Sequence, residues 1–557
     1  MSSHAFPRPI QEVAAALDIP ADALAPYGRF KAKVDHRLGA AAPRAGVRTV
    51  LVTAVNPTPA GEGKTVHTVG LSMALCRIGK RAIATLRQPS MGPIFGIKGG
   101  GSGGGAAQVL PRDEVNLHLT GDFHAVAAAN NLLAAAIDTT IVLDNPLQLD
   151  PERITWRRVL DVNDRSLREV RTGLGGSANG IPRDAAFDIT AASEVMAILA
   201  LSKDLADLRK RLGRIVVGTN FAGVPVCAED LGVAGAMCAV LKDAVDPTLV
   251  QTSEGTPVLM HAGPFANIAQ GNCSIIADRI ASQFGDYIVT EAGFGADMGA
   301  EKFLNVKCRV SGMRPDVAVV VVTLRALKLH SGRYAVKPGA ALPAAISQED
   351  LPGIEVGAAN LAAHLRALGA CGVPCVVAIN RFPTDTAMEL ELAQRLALAA
   401  GARAVAISEV FVKGGAGGEE LAHAVVEAAE SGAAKVRLTY PDEASIADKV
   451  RLVAERHYGA GSVVFEPRAV EQLQRAEAQG FGHLPLCIAK TQYSLSHDPA
   501  RLGAPAGYEF PIRELRVYAG AGFVVPLAGQ VLTMPGMGRT PAYKGIDVDA
   551  DGRIVGI

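Results

Sequence analysis

The sequence is short of aromatic residues, of net charge and of long apolar runs. Aromatics make up only 5% of its 557 residues, with a single tryptophan, Trp156. Its cores are therefore filled by Ala, Val, Leu and Ile, which suits an α/β enzyme better than an aromatic-rich all-β binding module. Fifty-five basic residues balance fifty-five acidic ones, so the global basic excess that favours binding along a phosphate backbone is missing. The run Val317 to Leu324, VAVVVVTL, is far short of a membrane span and reads as a fully buried strand. The first twenty residues contain no basic segment followed by an apolar one, so the expectation is a soluble, cytoplasmic protein. Eight cysteines are scattered along the chain without the pattern of a disulfide framework. Cys371 and Cys375 lead into the strand-like CVVAIN with no second pair or nearby histidine to complete a zinc set, and read as buried reduced thiols.

What is present is ample core material, 49% hydrophobic against 20% charged, and 59 glycines, which excludes a disordered chain. The length suggests roughly three to four domains. From Thr49 to about residue 325, strand-like runs alternate with Ala- and Leu-rich helical stretches. The runs are 49–55, 81–86, 139–145, 214–220, 256–262, 286–292 and 317–324. This alternation predicts βαβ units and a mostly parallel sheet. A looser stretch at 331–355 and a change of pattern near 437 place soft boundaries near 355 and 455. No period of 20–50 residues recurs, which argues against a solenoid.

The sharpest local signal is Thr58, Pro59, Ala60, Gly61, Glu62, Gly63, Lys64 and Thr65, lying between the strand TVLVTAV and a helix starting near Val66. A strand, a glycine-bearing loop and a helix converge backbone N–H groups on the helix N-terminus, where phosphate oxygens are favoured. Lys64 can reach the β- and γ-phosphates, and the Thr65 hydroxyl is placed to bind Mg²⁺. Thr58 stands at the first glycine of that motif, and the bland alternative is a tight turn with a surface lysine. A second loop runs from Arg87 through Gln88-Pro-Ser-Met to Lys98 and a glycine run ending at Gly105. In a parallel sheet it leaves the same edge as the first, where ligands bind. Arg87 can hold a carboxylate or acyl phosphate by two parallel hydrogen bonds, with Lys98 adding charge; the alternative is a flexible linker. Asp122 and Asp297, at strand or helix edges, could serve metal binding or proton transfer but each alone reads better as a cap or loop carboxylate, and His261 reads equally as a core or a catalytic histidine.

The strings TPAGEGKT, RQPSMGPIFGIKGG, NLHLTGDFHA, ITWRRVLD, GPFANIA, TEAGFGADMGAEKF, AINRFPTDT and AKTQYS occur in this order. Together they resemble the formate–tetrahydrofolate ligase (formyltetrahydrofolate synthetase) family from about residue 30 to the C-terminus. The resemblance implies a P-loop NTPase-like α/β fold, a mostly parallel sheet flanked by helices with two smaller domains. Residues 1–355 would bind nucleotide and formate, 356–455 would contribute to the folate site, and 456–557 would form a C-terminal α+β domain. It also implies a homotetramer of one-carbon metabolism in which ATP, formate and tetrahydrofolate give 10-formyltetrahydrofolate, ADP and phosphate. Formate would attack the γ-phosphate to make formyl phosphate, and N10 of the folate would then attack the formyl carbon. Mg²⁺ would accompany ATP, and a monovalent cation is compatible with the family pattern. By the same resemblance Thr58 to Thr65 would cradle ATP, Arg87 would hold formate and formyl phosphate, and Phe382, Pro383 and Phe411 would stack the pterin.

The chain departs from the family pattern at Phe411, where many relatives carry Trp, and at Gln270, where His is usual. Ala106 replaces an aromatic, and Ser102 replaces Ala within the glycine run. Rival readings are an ATP-driven switch, for which the RQPS and FPTDT segments have no purpose, and a ligase acting on a longer acid. Lys64→Ala is expected to abolish turnover, because it removes a phosphate-clamping charge from the transition state. An unchanged kcat in that variant would remove the phosphate role from the loop.

Overall fold

The computed structural model describes residues 7–96, 101–336, 342–529 and 531–557. Seven parallel strands form its centre: β1 (Arg48–Ala54), β2 (Ala82–Leu86), β3 (Pro257–Met260), β4 (Tyr287–Glu291), β5 (Val317–Val322), β6 (Cys375–Asn380) and β7 (Ala404–Ser408). Their order across the sheet is β3–β2–β4–β1–β5–β6–β7. Antiparallel strands, among them Thr248–Thr252 and Ala32–Val34, extend it past β3 into a twelve-stranded mixed sheet. Every residue of β5 is buried. A strand covered by helices on both faces loses the alternation of apolar and polar residues, which is why its sequence reads as an unbroken valine-rich run.

The helices that cover this sheet, or pack beside it, are α1 (Lys64–Arg77), α2 (Asp122–Val142), α3 (Ile275–Phe284), α4 (Leu324–His330), α5 (Leu351–Ala370), α6 (Ala387–Ala399) and α7 (Glu419–Glu430). On one face Leu71 and Leu75 of α1 and Leu421 and Val425 of α7 pack against Val50, Val52, Val319 and Val321. On the other, Leu361 and Leu365 of α5 and Leu390 and Ala393 of α6 meet Leu51, Val320 and Val377. The chain is thus an α/β protein with a large, mostly parallel sheet flanked by helices, as its alternating pattern indicated.

Three strand expectations change. The run 139–145 is the end of α2, not a strand. Its β-branched residues continue an Ala- and Leu-rich helix that packs into the core, and the helix stops where Asp144 and Asn145 take left-handed backbone angles. Tertiary packing there overrides local β propensity. The run 214–220 does contain a strand, Val216–Thr219, but it pairs only with Pro225–Cys227 outside the main sheet. Conversely β7 joins the main sheet although nothing in its short, Ala-rich sequence announced it. Residue 355 lies inside α5, and β6 and β7 beyond it continue the same sheet. Residue 455 lies in a helical stretch that runs from Ile446–Val453 into Ala454–Tyr458.

Among the described residues α2 is the one helix long and apolar enough to cross a membrane. It is tied to its surroundings by polar groups: Asp138 pairs with Arg158 and Arg183, and Asn131 bonds the backbone of Val159. The C-terminal part joins the rest through the strand Phe523–Leu527. Phe523, Val525 and Leu527 enter the large core, whereas Val524 packs with Tyr440, Val450 and Phe510. The buried Glu194 carboxylate accepts hydrogen bonds from Gly520 N (2.8 Å) and Ala521 N (3.1 Å), fixing the turn before that strand.

Helix α1 approaches the residues after β7 so closely that a Cβ at Gly70 would lie 2.5 Å from Val410 Cβ. Gly70→Val is therefore expected to destabilise the protein by about 1–3 kcal/mol through overpacking. A lowered thermal unfolding midpoint is the readout, and an unchanged one would show that the helix can move aside.

Candidate active site

The sheet order changes direction around β1: the chain passes from β1 to β2 on one side and returns to β5 on the other. Ligands in open parallel sheets bind outside the carboxyl ends of the strands at such a reversal. The loop 58–65 leaves β1 there. Gly63, the residue before α1, has φ +83°, and a Cβ on it would lie 2.9 Å from Asn380 Nδ2, so this turn requires glycine. Asn380, at the end of β6, donates to Glu62 O at 3.1 Å and pins the loop from the neighbouring strand. Within the loop the buried Glu62 carboxylate accepts from Thr58 N (2.8 Å) and Thr58 Oγ1 (2.9 Å), and Thr58 O accepts from Gly61 N. Burial pushes the Glu62 carboxyl above its usual range. Pro59 is exposed at the tip, and Ala60 bonds back to Thr58.

Lys64 opens α1 and is half-buried, with no hydrogen bond or ion pair to its ammonium among the described residues. Burial pulls its pKa below the ordinary lysine value, against the opposing charges of Glu62 and Glu291. Thr65 Oγ1 donates to Glu291 Oε2 at 2.8 Å. Arg87, immediately after β2, places Nη2 3.6 Å from the other oxygen of Glu291 and donates from Nη1 to Pro264 O at 3.0 Å. The two loops singled out in the sequence thus meet on one carboxylate at the end of β4.

Each loop has a second support that sequence reasoning did not assign. Asp161, inside the ITWRRVLDVND segment, accepts from Ser90 Oγ (2.6 Å) and Met91 N (2.9 Å), tethering the chain just past Arg87. The glycines at 92 and 96 leave room for Asn163, whose amide would lie 2.6 and 2.3 Å from a Cβ at those positions. On the other side Asn56, two residues before Thr58, is bonded through every polar group. Its backbone N donates to His364 Nε2 (3.1 Å) and its carbonyl accepts from His330 Nε2 (3.0 Å). Its Nδ2 donates to Asp297 Oδ1 (3.1 Å) and Gln492 O (3.2 Å), and its Oδ1 accepts from Asn360 (2.9 Å). Asp297 forms a fully buried ion pair with Lys490 at 2.6 Å. The Lys490 ammonium beside Asp297 holds that carboxyl below its usual range. Asp297 and the AKTQYS segment are therefore parts of the scaffold under the loop. The quoted strings contained these residues, but long-range pairing leaves no local signature.

The remaining positions fall as follows. Lys98 lies outside the described residues. Phe382 and Phe411 follow the adjacent strands β6 and β7, whose ends pair Asn380 with Ser408. Phe382 is half-buried with the Arg325 guanidinium 4.1 Å above its ring; Pro383 is exposed beside it. Phe411 is 51% exposed, and its ring backs onto Gly104, where a Cβ would lie 3.2 Å away. Gly103–Gly104 pairs with Ala107–Leu110, and Ala106 N donates to Phe411 O at 2.7 Å, so the described end of the glycine run is an ordered hairpin. Ser102 is buried and accepts from Asn116 Nδ2. Gln270 is fully buried, and neither polar atom of its amide has a partner among the described residues. Its loop joins the end of β4, since Gly293 N donates to Gly271 O and Asn272 Nδ2 to Glu291 O. A buried amide left unpaired costs about 1–3 kcal/mol for each unsatisfied group. His261 is held in the core between Ser274 Oγ and Ala244 O, both at 2.7 Å, and Asp122 pairs with Lys33 at 2.7 Å. Neither reaches the two loops.

Fold and geometry together define an α/β protein whose candidate site lies at the carboxyl edge of a parallel sheet, under two loops joined by Glu291. The formate–tetrahydrofolate ligase family model matches residues 1–557. The chain is 53% identical over 550 residues to the formate–tetrahydrofolate ligase of Desulforamulus reducens, covering 99% of this chain and 97% of the relative. It is 54% identical over 551 residues to that of Saccharopolyspora erythraea, with coverages of 99% and 97%. A Roseiflexus enzyme of the same name is 54% identical over 554 residues, with coverages of 99% and 98%. The chain belongs to the formate–tetrahydrofolate ligase family.

Burial holds four histidines neutral, pulling His67, His364 and His457 down to about 4 and His261 to about 3. The unfolded chain takes up these protons at about pH 6.5, so between there and pH 4 it binds more protons than the folded one and stability falls as pH falls. Each histidine contributes about 1.4 kcal/mol per pH unit in that window. The expected outcome is a falling unfolding midpoint from about pH 6.5 towards pH 4; a flat profile would contradict neutral burial.

Proposed function

We propose that this chain catalyses the ATP-dependent ligation of formate to tetrahydrofolate, giving 10-formyltetrahydrofolate, ADP and phosphate through formyl phosphate. The observation that carries the reading is the convergence on Glu291 of two cation-bearing loops, one at a helix N-terminus and one bearing Arg87. Formate is a poor electrophile and an arylamine nitrogen a weak nucleophile, so the carboxylate must be activated. A formate oxygen attacks the γ-phosphorus and ADP leaves; N10 then attacks the formyl carbon, the C–O bond to phosphate breaks, and N10 loses its proton.

The loop 58–65 cradles the nucleotide, with the unpaired Lys64 ammonium on the β- and γ-phosphates. Arg87 holds formate and then the acyl phosphate, and neutralises charge as it develops. The Thr65 hydroxyl and the Glu291 carboxylate are hard oxygen donors suited to Mg²⁺, which when bound with ATP draws charge from the phosphate oxygens. The pterin stacks at the ends of β6 and β7, on Phe382 and Phe411 with Pro383, each ring contributing on the order of 1 kcal/mol beyond burial. Phe411 offers less surface than tryptophan would, which weakens folate affinity more than the chemistry. The working form in this reading is a cytoplasmic homotetramer of one-carbon metabolism.

The test is a coupled assay for 10-formyltetrahydrofolate with each substrate omitted in turn. Product should require all three, whereas ATP hydrolysis without formate and folate would indicate a switch, and product from a longer acid would indicate a different ligase. Arg87→Ala is expected to lower formate-dependent turnover by at least about 100-fold while ATP still binds. Normal turnover in that variant would displace the acyl phosphate from this loop.

A further inference from the structure

The opposite, amino edge of the sheet carries a second group of cations that the ligase chemistry leaves unused. Two adjoining cavities of about 150 and about 140 Å³ lie at the C-terminal end of α5, ahead of β6. They share Arg456 and His457; Arg437 lines one and Arg366 the other. The side chains of Arg366 and Arg437 make no hydrogen bond or ion pair among the described residues, and Arg456 donates only to Thr439 O at 2.8 Å. Glu455 is the one carboxylate among the lining residues.

The floor is polar and ordered. Thr439 Oγ1 and His457 Nε2 lie 2.8 Å apart, and both residues are buried. Thr439 is fixed in turn by Asn305, which accepts from Thr439 N at 3.0 Å and donates to its hydroxyl at 2.8 Å. The fully buried Tyr458 lines the second cavity, and its hydroxyl has no partner among the described residues. A cation at the end of a helix is ordinarily favourable. Three exposed guanidinium groups over two adjoining recesses, with a single carboxylate among the lining residues, exceed what that explains. Planar guanidinium forks match tetrahedral oxyanions by paired hydrogen bonds.

We propose that this recess binds a phosphate group, free or as the monoester of a small metabolite, with Arg437 and Arg456 as its principal ligands and Arg366 at the rim. The site is separate from the loops that hold Lys64 and Arg87, so its existence does not depend on the ligase reading.

The test titrates the full-length protein with inorganic phosphate and, separately, with glycerol 2-phosphate, and locates the anion in crystals soaked in sodium tungstate. The wild type should show a tungstate peak between Arg437 and Arg456. The double variant Arg437→Gln/Arg456→Gln should lose the peak and at least one titratable site. Its basal ligase turnover should stay within about twofold of wild type. Binding of inorganic phosphate alone would assign the free ion, and tighter binding of the ester would assign a metabolite. If the double variant fails to fold, Arg366→Gln and Arg437→Gln singly should each weaken binding several-fold. Absence of the tungstate peak in the wild type, or unchanged titrations in the variants, would overturn the proposal and leave solvated arginines at a helix end.

Discussion

At the end of β4 a single carboxylate spans the gap between two loops, taking the Thr65 hydroxyl on one oxygen and facing the Arg87 guanidinium with the other. The sheet makes this possible. β4 lies between β1 and β2, the strands from which those loops emerge, so its terminal side chain is the one group equidistant in topology from both. Glu291 is nearly buried, where electrostatic attraction is stronger than in bulk water. Without that negative charge, Arg87 would lose its carboxylate partner and Lys64 would keep only Glu62 and Asp297 as opposing charges.

A second buried charge pair extends the same logic downward. Asp297 and Lys490 stabilise each other only as a pair, since removing either partner leaves an uncompensated buried ion. Through Asn56 the pair sets the point from which the 58–65 loop departs. The loop's position is therefore decided by residues more than two hundred positions away in sequence, and its shape by glycines within it.

The fold class was legible because covered parallel strands and amphipathic helices have periodicities that survive in the sequence. The first loop stood out because glycine, lysine and threonine at fixed spacing follow a strand, and the second because an arginine and a glycine run follow the next one. The end of α2 was misread as a strand because Thr139, Thr140, Ile141 and Val142 carry a β-like composition that packing overrides. β7 escaped notice because a short edge strand of AVAIS needs only one neighbour and little apolar bulk. Asp161, Asn56 and Lys490 act through long-range hydrogen bonds, and a lone polar residue in a sequence carries no mark of the partner it will meet. Gln270 is the converse case: its departure from the family pattern was visible, while its lack of any partner was visible only in three dimensions.

The dependence of the first loop on Lys490 also sets an order of events at the ribosome. Arg48 to Arg77 emerge early, yet Asp297 lacks its counter-charge until Lys490 has been translated and has packed against it. Until then the Asp297 carboxylate beneath Thr58 has the Asn56 amide as a partner but no matching cation from Lys490. The nascent enzyme can build its sheet as it is made, but the support beneath the 58–65 loop is complete only once Lys490 has been translated and has packed.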